Sequence, residues 1–138
     1  MYKYEVIKFN DNEFEIDVNV SPNEETVWLT IEQIALLFER DRSVISKHIK
    51  KIYEESELKK NRTCAKNAQV QIEGKRQIVR YLDYYNLDVI ISVGYRVKSN
   101  RGILFRKWAN NVLKQYLLNG HVINESLEVK LYGKIWSN

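Results

Sequence analysis

Residues 30–51 read TIEQIALLFERDRSVISKHIKK, and the spacing of their apolar side chains decides the kind of fold that surrounds them. Ile31, Ile34, Ala35, Leu37 and Phe38 recur at three- and four-residue intervals behind Thr30, whose hydroxyl can accept from a free amide of the first helical turn. A second helix is predicted from about Ser43, with Ile45, Ile49 and Ile52 on one face and an end near Lys60. Two short helices joined by a tight turn cross steeply only where a small residue lets them approach, and Ala35 is so placed. Counting Ile31 as the first position, Ala35 is fifth, Phe38 eighth, Ile45 fifteenth and Ile49 nineteenth, so every inward position of a helix-turn-helix is apolar. Glu39 stands ninth, where such a turn usually has glycine because the backbone takes positive φ there. The alternative is an ordinary pair of core helices with a solvated basic face. The apolar spacing, the small residue and the local charge agree on the first reading.

The outward positions of the second helix are then Ser43, Ser46, Lys47 and Lys50, with Arg40 and Arg42 in the turn before it. A helix lying in the major groove brings its N-terminal residues to base edges, where Arg and Lys donate to guanine O6 and N7 and Ser can donate or accept. Ser43 can equally cap its own helix.

Upstream, Phe14, Ile16, Val18 and Val20 alternate with Glu13, Glu15, Asp17 and Asn19 at the two-residue period of a half-buried strand. Tyr2 to Phe9 is the expected partner, with Asn10, Asp11 and Asn12 turning the chain. A loop around Pro22 leads to a short strand at Thr26 to Leu29. Downstream, Val70 and Ile72, then Ile78 and Val79, flank a Glu73-Gly74-Lys75-Arg76 turn, predicting a second hairpin. Tipped with Lys75 and Arg76, it is either a wing touching phosphate or a plain soluble turn. Helices are expected at about Leu87 to Val97 and Arg101 to Leu118, the last stopping before Gly120. The fold class is therefore α+β. An N-terminal hairpin and strand occupy 1–29, a winged helix-turn-helix 30–83, two helices completing the core 84–123 and an ambiguous tail 124–138.

The charge is segregated along the 138 residues: 1–39 carry 2 Lys/Arg against 9 Asp/Glu, 40–80 carry 12 against 5, and 81–138 carry 8 against 4. The middle stretch is the candidate polyanion face. The single cysteine, Cys64, forms no internal disulfide, and the opening MYKYEVIK lacks the apolar core of a secretion signal, so the cytoplasm is expected. No apolar run approaches the ~20 residues that span a bilayer. His48, His121 and Cys64 fall in no metal-ligand spacing, and the five glycines are isolated rather than grouped into a phosphate loop. Asp83 and Asp88 lie close enough in sequence to pair as acid and base, but Asp88 belongs in a first helical turn, where a carboxylate meets the dipole. No metal, cofactor, small-molecule substrate or enzymatic reaction is expected.

Val27-Trp28-Leu29-Thr30, then FERDRSVISKHIKKIYEESEL, then YYNLDVIISVGYRVKSNRGILFRKWANNVLKQYLLNG together resemble the bacterial RhuM family from about Thr26 to Asn124. The block from Tyr84 to Trp108 is the most distinctive part. More distantly, the layout is similar to the N-terminal domains of phage antirepressors and Bro-type proteins, whose Phe-x-x-Trp helix is matched by Phe105 and Trp108. Glu39 departs from the glycine common in the family. The resemblance implies a virulence- or mobile-element-associated protein that binds DNA.

Within the distinctive block, Arg96, Lys98 and Arg101 cluster with Ser99, Asn100 and Gly102 at a helix junction, where they either clamp a phosphate or are simply solvated. The expected function is sequence-specific binding of double-stranded DNA by a transcriptional regulator. The competing expectation is a protein-interaction module of antirepressor type. Self-association as a homodimer is expected through the Arg101 to Leu118 helix, whose apolar stripe looks wider than one small core needs.

Overall fold

The computed structural model describes residue 1 and residues 3–120. The strands are β1 (Glu5–Asp11), β2 (Phe14–Ser21), β3 (Thr26–Thr30), β4 (Cys64–Glu73) and β5 (Arg76–Asn86). The helices are α1 (Ile31–Phe38), α2 (Arg42–Glu54), α3 (Lys60–Thr63), α4 (Leu87–Arg96) and α5 (Asn100–Asn119). The strands form one antiparallel sheet in the order β1-β2-β3-β5-β4, so the architecture is α+β. His121 and the predicted tail lie outside the described residues.

The alternation read in the first hairpin is the pleat itself. Phe9 faces Ile16 and Ile7 faces Val18 across the strands, and all four are buried, whereas Glu15 and Asp17 are exposed. The chain reverses at Asn12 and Glu13, later than expected, with Asn12 at φ 58°. A two-residue turn needs positive φ, which Asn tolerates better than any residue but Gly.

Thr30 caps α1 reciprocally: its hydroxyl accepts from the Gln33 amide at 3.2 Å, and the Gln33 side chain accepts from the Thr30 amide at 2.9 Å. Glu39 ends α1 in the left-handed conformation, φ 54°, so the turn has the geometry for which glycine was expected. Holding a non-glycine residue there costs roughly 1–2 kcal/mol. Its side chain is 75 % exposed and stands 3.7 Å from Arg101, an ion pair of little weight. Glu39→Gly should therefore raise the urea midpoint at unchanged m, a gain of about 1 kcal/mol. An unmoved or lowered midpoint would contradict this.

α2 begins at Arg42 behind Asp41 and ends at Glu54, short of Lys60. The apolar spacing stops at Ile52, and Glu54, Glu55 and Glu57 then crowd the negative end of the helix dipole. Ser56 takes φ 59° and turns the chain away. β4 starts at Cys64 rather than Val70, so the second hairpin is longer than predicted. The Tyr84 to Asn86 part of the distinctive block completes β5, pairing with Thr30 to Trp28 of β3.

The helices cover one sheet face. α5 lies against β1, where Phe9 meets Phe105 and Trp108 edge-on at 5.2 and 5.4 Å. α2 packs on α1 and α4 through Ile45, Ile49 and Ile52, on the side away from the sheet. Phe38 sits between α1, α4 and α5, its ring against Gly94 and Gly102. Beyond Lys66 and Asp83, β4 and β5 pair only with each other and project as a two-stranded arm. The arm continues the sheet's helix-facing side without its cover. Val70, Ile72, Val79 and Tyr81 on that side are 53–74 % exposed.

Candidate nucleic-acid interface

Helical geometry places Ser43, Ser46, Lys47 and Lys50 on the face of α2 opposite its three buried isoleucines, and all four are exposed. None of them makes an ion pair or side-chain hydrogen bond among the described residues. α2 has no acidic residue before Glu54. The N-cap of α2 is Asp41, so Ser43 lies inside the helix and makes no capping bond. Arg42 pairs with Glu32 at 2.7 Å, but both side chains are more than half exposed, so little binding energy is forfeited in trading that carboxylate for a phosphate.

Arg40 behaves differently. Its guanidinium donates to the carbonyls of Phe38 at 2.9 Å and Val97 at 2.9 Å, tying the α1–α2 turn to the end of α4. Its donors serve the fold.

Lys75 and Arg76 are exposed at the tip of the arm, beside Gly74 at φ 63°. The arm is anchored to α2 at its base, where the Tyr53 and Thr63 hydroxyls hydrogen-bond at 3.0 Å. Along the arm, Arg80 donates to Gln71 and Glu73, each at 3.0 Å, while Lys66 pairs with Asp83 at 2.8 Å. The face of α2 and the arm tip thus belong to one framework, with Lys51, Lys59, Lys60 and Arg62 exposed between them. These four were not among the residues expected from the sequence. Their signal was the charge excess of residues 40–80, which does not depend on helical phase.

Lys98 and Arg101 line one hollow, but Arg96 is not brought to it. Arg96 bonds Glu55 and Glu57 at 2.8 Å each, and with the close Ser92 hydroxyl it holds the Glu57 carboxyl below its usual range. Arg101 bonds Asp11 at 3.1 Å and the Leu37 carbonyl at 3.1 Å, with its guanidinium 4.2 Å from the centre of the Phe14 ring. Only Lys98, at φ 55°, is open to solvent without such ties among the described residues. It edges a shallow hollow of about 360 Å³ where Arg40 and Arg101 are matched by Asp11 and Glu39. A larger groove of about 990 Å³ mixes Lys3 and Lys114 with Glu5 and Glu25 and has no convergent chemistry.

Cys64 is half-buried, and burial raises its thiol pKa, the opposite of what a nucleophile needs. Asp83 is held by Lys66, and Asp88 lies in the first turn of α4. Among the described residues there is no cluster of metal-ligating side chains and no helix long and apolar enough to cross a membrane.

Of the apolar side chains of α5, Phe105, Trp108, Ala109, Val112, Leu113 and Tyr116 pack into the core, whereas Leu104 and Leu117 are 50 % and 83 % exposed.

No curated protein and no solved structure matches the chain. The family model described as Virulence protein RhuM family matches residues 62–133, more than half of the sequence. The matched span takes in the arm, α4 and α5 and begins after α2, so it is shorter at its N-terminal end than the resemblance that starts near Thr26. With its arm and its two C-terminal described helices inside that match, the chain belongs to the RhuM virulence protein family.

Proposed function

We propose that this chain is a sequence-specific DNA-binding protein and a transcriptional regulator, acting by equilibrium binding rather than by a chemical step. The observation that carries the reading is the outer face of α2, where Ser43, Ser46, Lys47 and Lys50 stand without intramolecular partners among the described residues, on a helix already set apart from the sheet. α1, the turn through Glu39 and α2 then act as a helix-turn-helix, with α2 in the major groove and Arg42 at its entering end. The arm acts as the wing, bringing Lys75 and Arg76 to the backbone. Arg40, Arg96 and Arg101 keep the structural roles described above. The family's description suggests a locus concerned with virulence.

The test is selection of preferred duplexes from a random library, followed by binding across a salt series. Lys47→Ala and Arg42→Ala should each weaken the preferred site by about 1–3 kcal/mol and relax preference locally. Lys75→Ala and Arg76→Ala should weaken all sequences alike and lower the salt slope by about one for each phosphate left unneutralised. Thermal melts first establish that each variant folds. Folded Lys47→Ala and Arg42→Ala proteins with wild-type affinity and preference would remove α2 as the reader. A second reading, docking to another protein, is favoured by the uncovered apolar side of the arm. Weak duplex binding insensitive to salt would support it instead.

A further inference from the structure

α5 carries no acidic residue over its 20 positions, and its outer face presents Arg106, Lys107, Asn110 and Lys114, all exposed, beside the exposed side chains of Ile103, Leu117 and Leu118. At 100° per residue these four fall within about 100° of the helix circumference, a single stripe. None of the three cations makes an ion pair among the described residues. Several other cations are satisfied within the chain: Lys8 faces Glu15 and Asp17, Arg101 holds Asp11, Arg42 holds Glu32, and Arg96 holds Glu55 and Glu57.

We infer that the outer face of α5 is a second, sequence-independent contact for the DNA phosphate backbone. This rests on the DNA-binding reading above and adds to it a surface that neither α2 nor the arm supplies. α2 lies across α1 and α4 away from the sheet, whereas α5 lies against the sheet, so the two surfaces serve different stretches of backbone. The dimensions fit. Arg106 to Lys114 spans about eight residues, about 12 Å of helix, against a phosphate every ~3.4 Å along one strand's axis. Arg106 and Lys107 stand at one end of that span and Lys114 at the other, so the face can meet phosphates at both ends of it. The same charges oppose pairing of this face with its own copy.

The experiment compares wild type with the triple variant Arg106→Gln, Lys107→Gln, Lys114→Gln on a preferred and a random duplex across a salt series. The slope of log affinity against log salt should flatten by about 0.9 for each phosphate left unneutralised, roughly 2 to 3 in all. Base preference should stay as in wild type. The charge-keeping variant Arg106→Lys, Lys107→Arg, Lys114→Arg should retain the wild-type slope. A glutamine variant that melts like wild type and keeps its slope overturns the proposal while leaving the role of α2 intact. If wild type binds polyglutamate and that variant does not, while its slope on duplex stays unchanged, the face belongs to an acidic protein and the proposal falls. Wild-type protein that binds no duplex overturns both readings together.

Discussion

Phe38→Ala is expected to be the most damaging single truncation in the helical layer, costing about 3–5 kcal/mol. Its ring is 2 % exposed and fills the space where α1, α4 and α5 meet. The fit is two-sided. A methyl group on Gly94 would stand 2.9 Å from Phe38 Cζ and 3.3 Å from Cε1, closer than packed carbons tolerate. Gly94→Ala should thus cost about 1–3 kcal/mol by forcing the ring or α4 aside. Combining Gly94→Ala with Phe38→Leu should cost less than the two changes summed, because the shorter side chain vacates the contested space. Urea denaturation of wild type, the two single variants and the double variant measures the coupling. Strict additivity would mean that the ring yields freely and that the glycine has no packing role.

Arg101→Ala should cost about 2–4 kcal/mol, although arginine at a helix start is usually a dispensable surface residue. Here one guanidinium joins the Asp11 carboxylate, the Leu37 carbonyl and the Phe14 ring, and so fastens α5 to the first hairpin and to α1. The side chains of Arg101 and Asp11 are 20 % and 23 % exposed, so removing the cation strands a mostly covered carboxylate. Arg101→Lys should recover less than half of the stability, since an ammonium cannot reproduce the forked bonds and the stacking together. Adding Asp11→Asn to Arg101→Ala should return part of it by removing the stranded charge. Melting curves of the three variants decide. A lysine protein as stable as wild type would show that charge alone matters there.

The contrast between Phe38 and Arg101 marks what a linear sequence reveals. The isoleucines of α2, the capping residue Thr30 and the alternation of Ile16, Val18 and Val20 are legible because burial on one side imposes a period on the local sequence. The length of the arm is not legible. Ala65, Asn67 and Gln69 are half-buried side chains of β4 while Val70 and Ile72 face water, so no apolar-in, polar-out alternation announces the strand. The candidate site divides in the same way. The outward face of α2 follows from helical phase alone, so Ser43, Ser46, Lys47 and Lys50 could be named together. The long-range partners of Arg40, Arg96 and Arg101 stand 57, 39 to 41 and 62 to 90 residues away, and nothing in the local sequence distinguishes an engaged guanidinium from a free one. The basic stripe on α5 follows from helical phase as well, but it shares its helix with the apolar stripe from which self-association was expected.

The arm also governs how the protein tolerates crowding in solution. β4 is the outermost strand, ten residues long, with no proline to interrupt it and a flank of valine and isoleucine facing water. Such a margin can accept another chain's strand and start a stack. What holds copies apart is mutual repulsion between their basic surfaces, and that protection is conditional. Concentrated salt shortens its reach to a few ångströms, and it fades as the solution nears pH 9.1, where the net charge of the sequence vanishes. The polypeptide is therefore most prone to precipitate under the high-salt or alkaline conditions commonly chosen to strip nucleic acid from a basic protein.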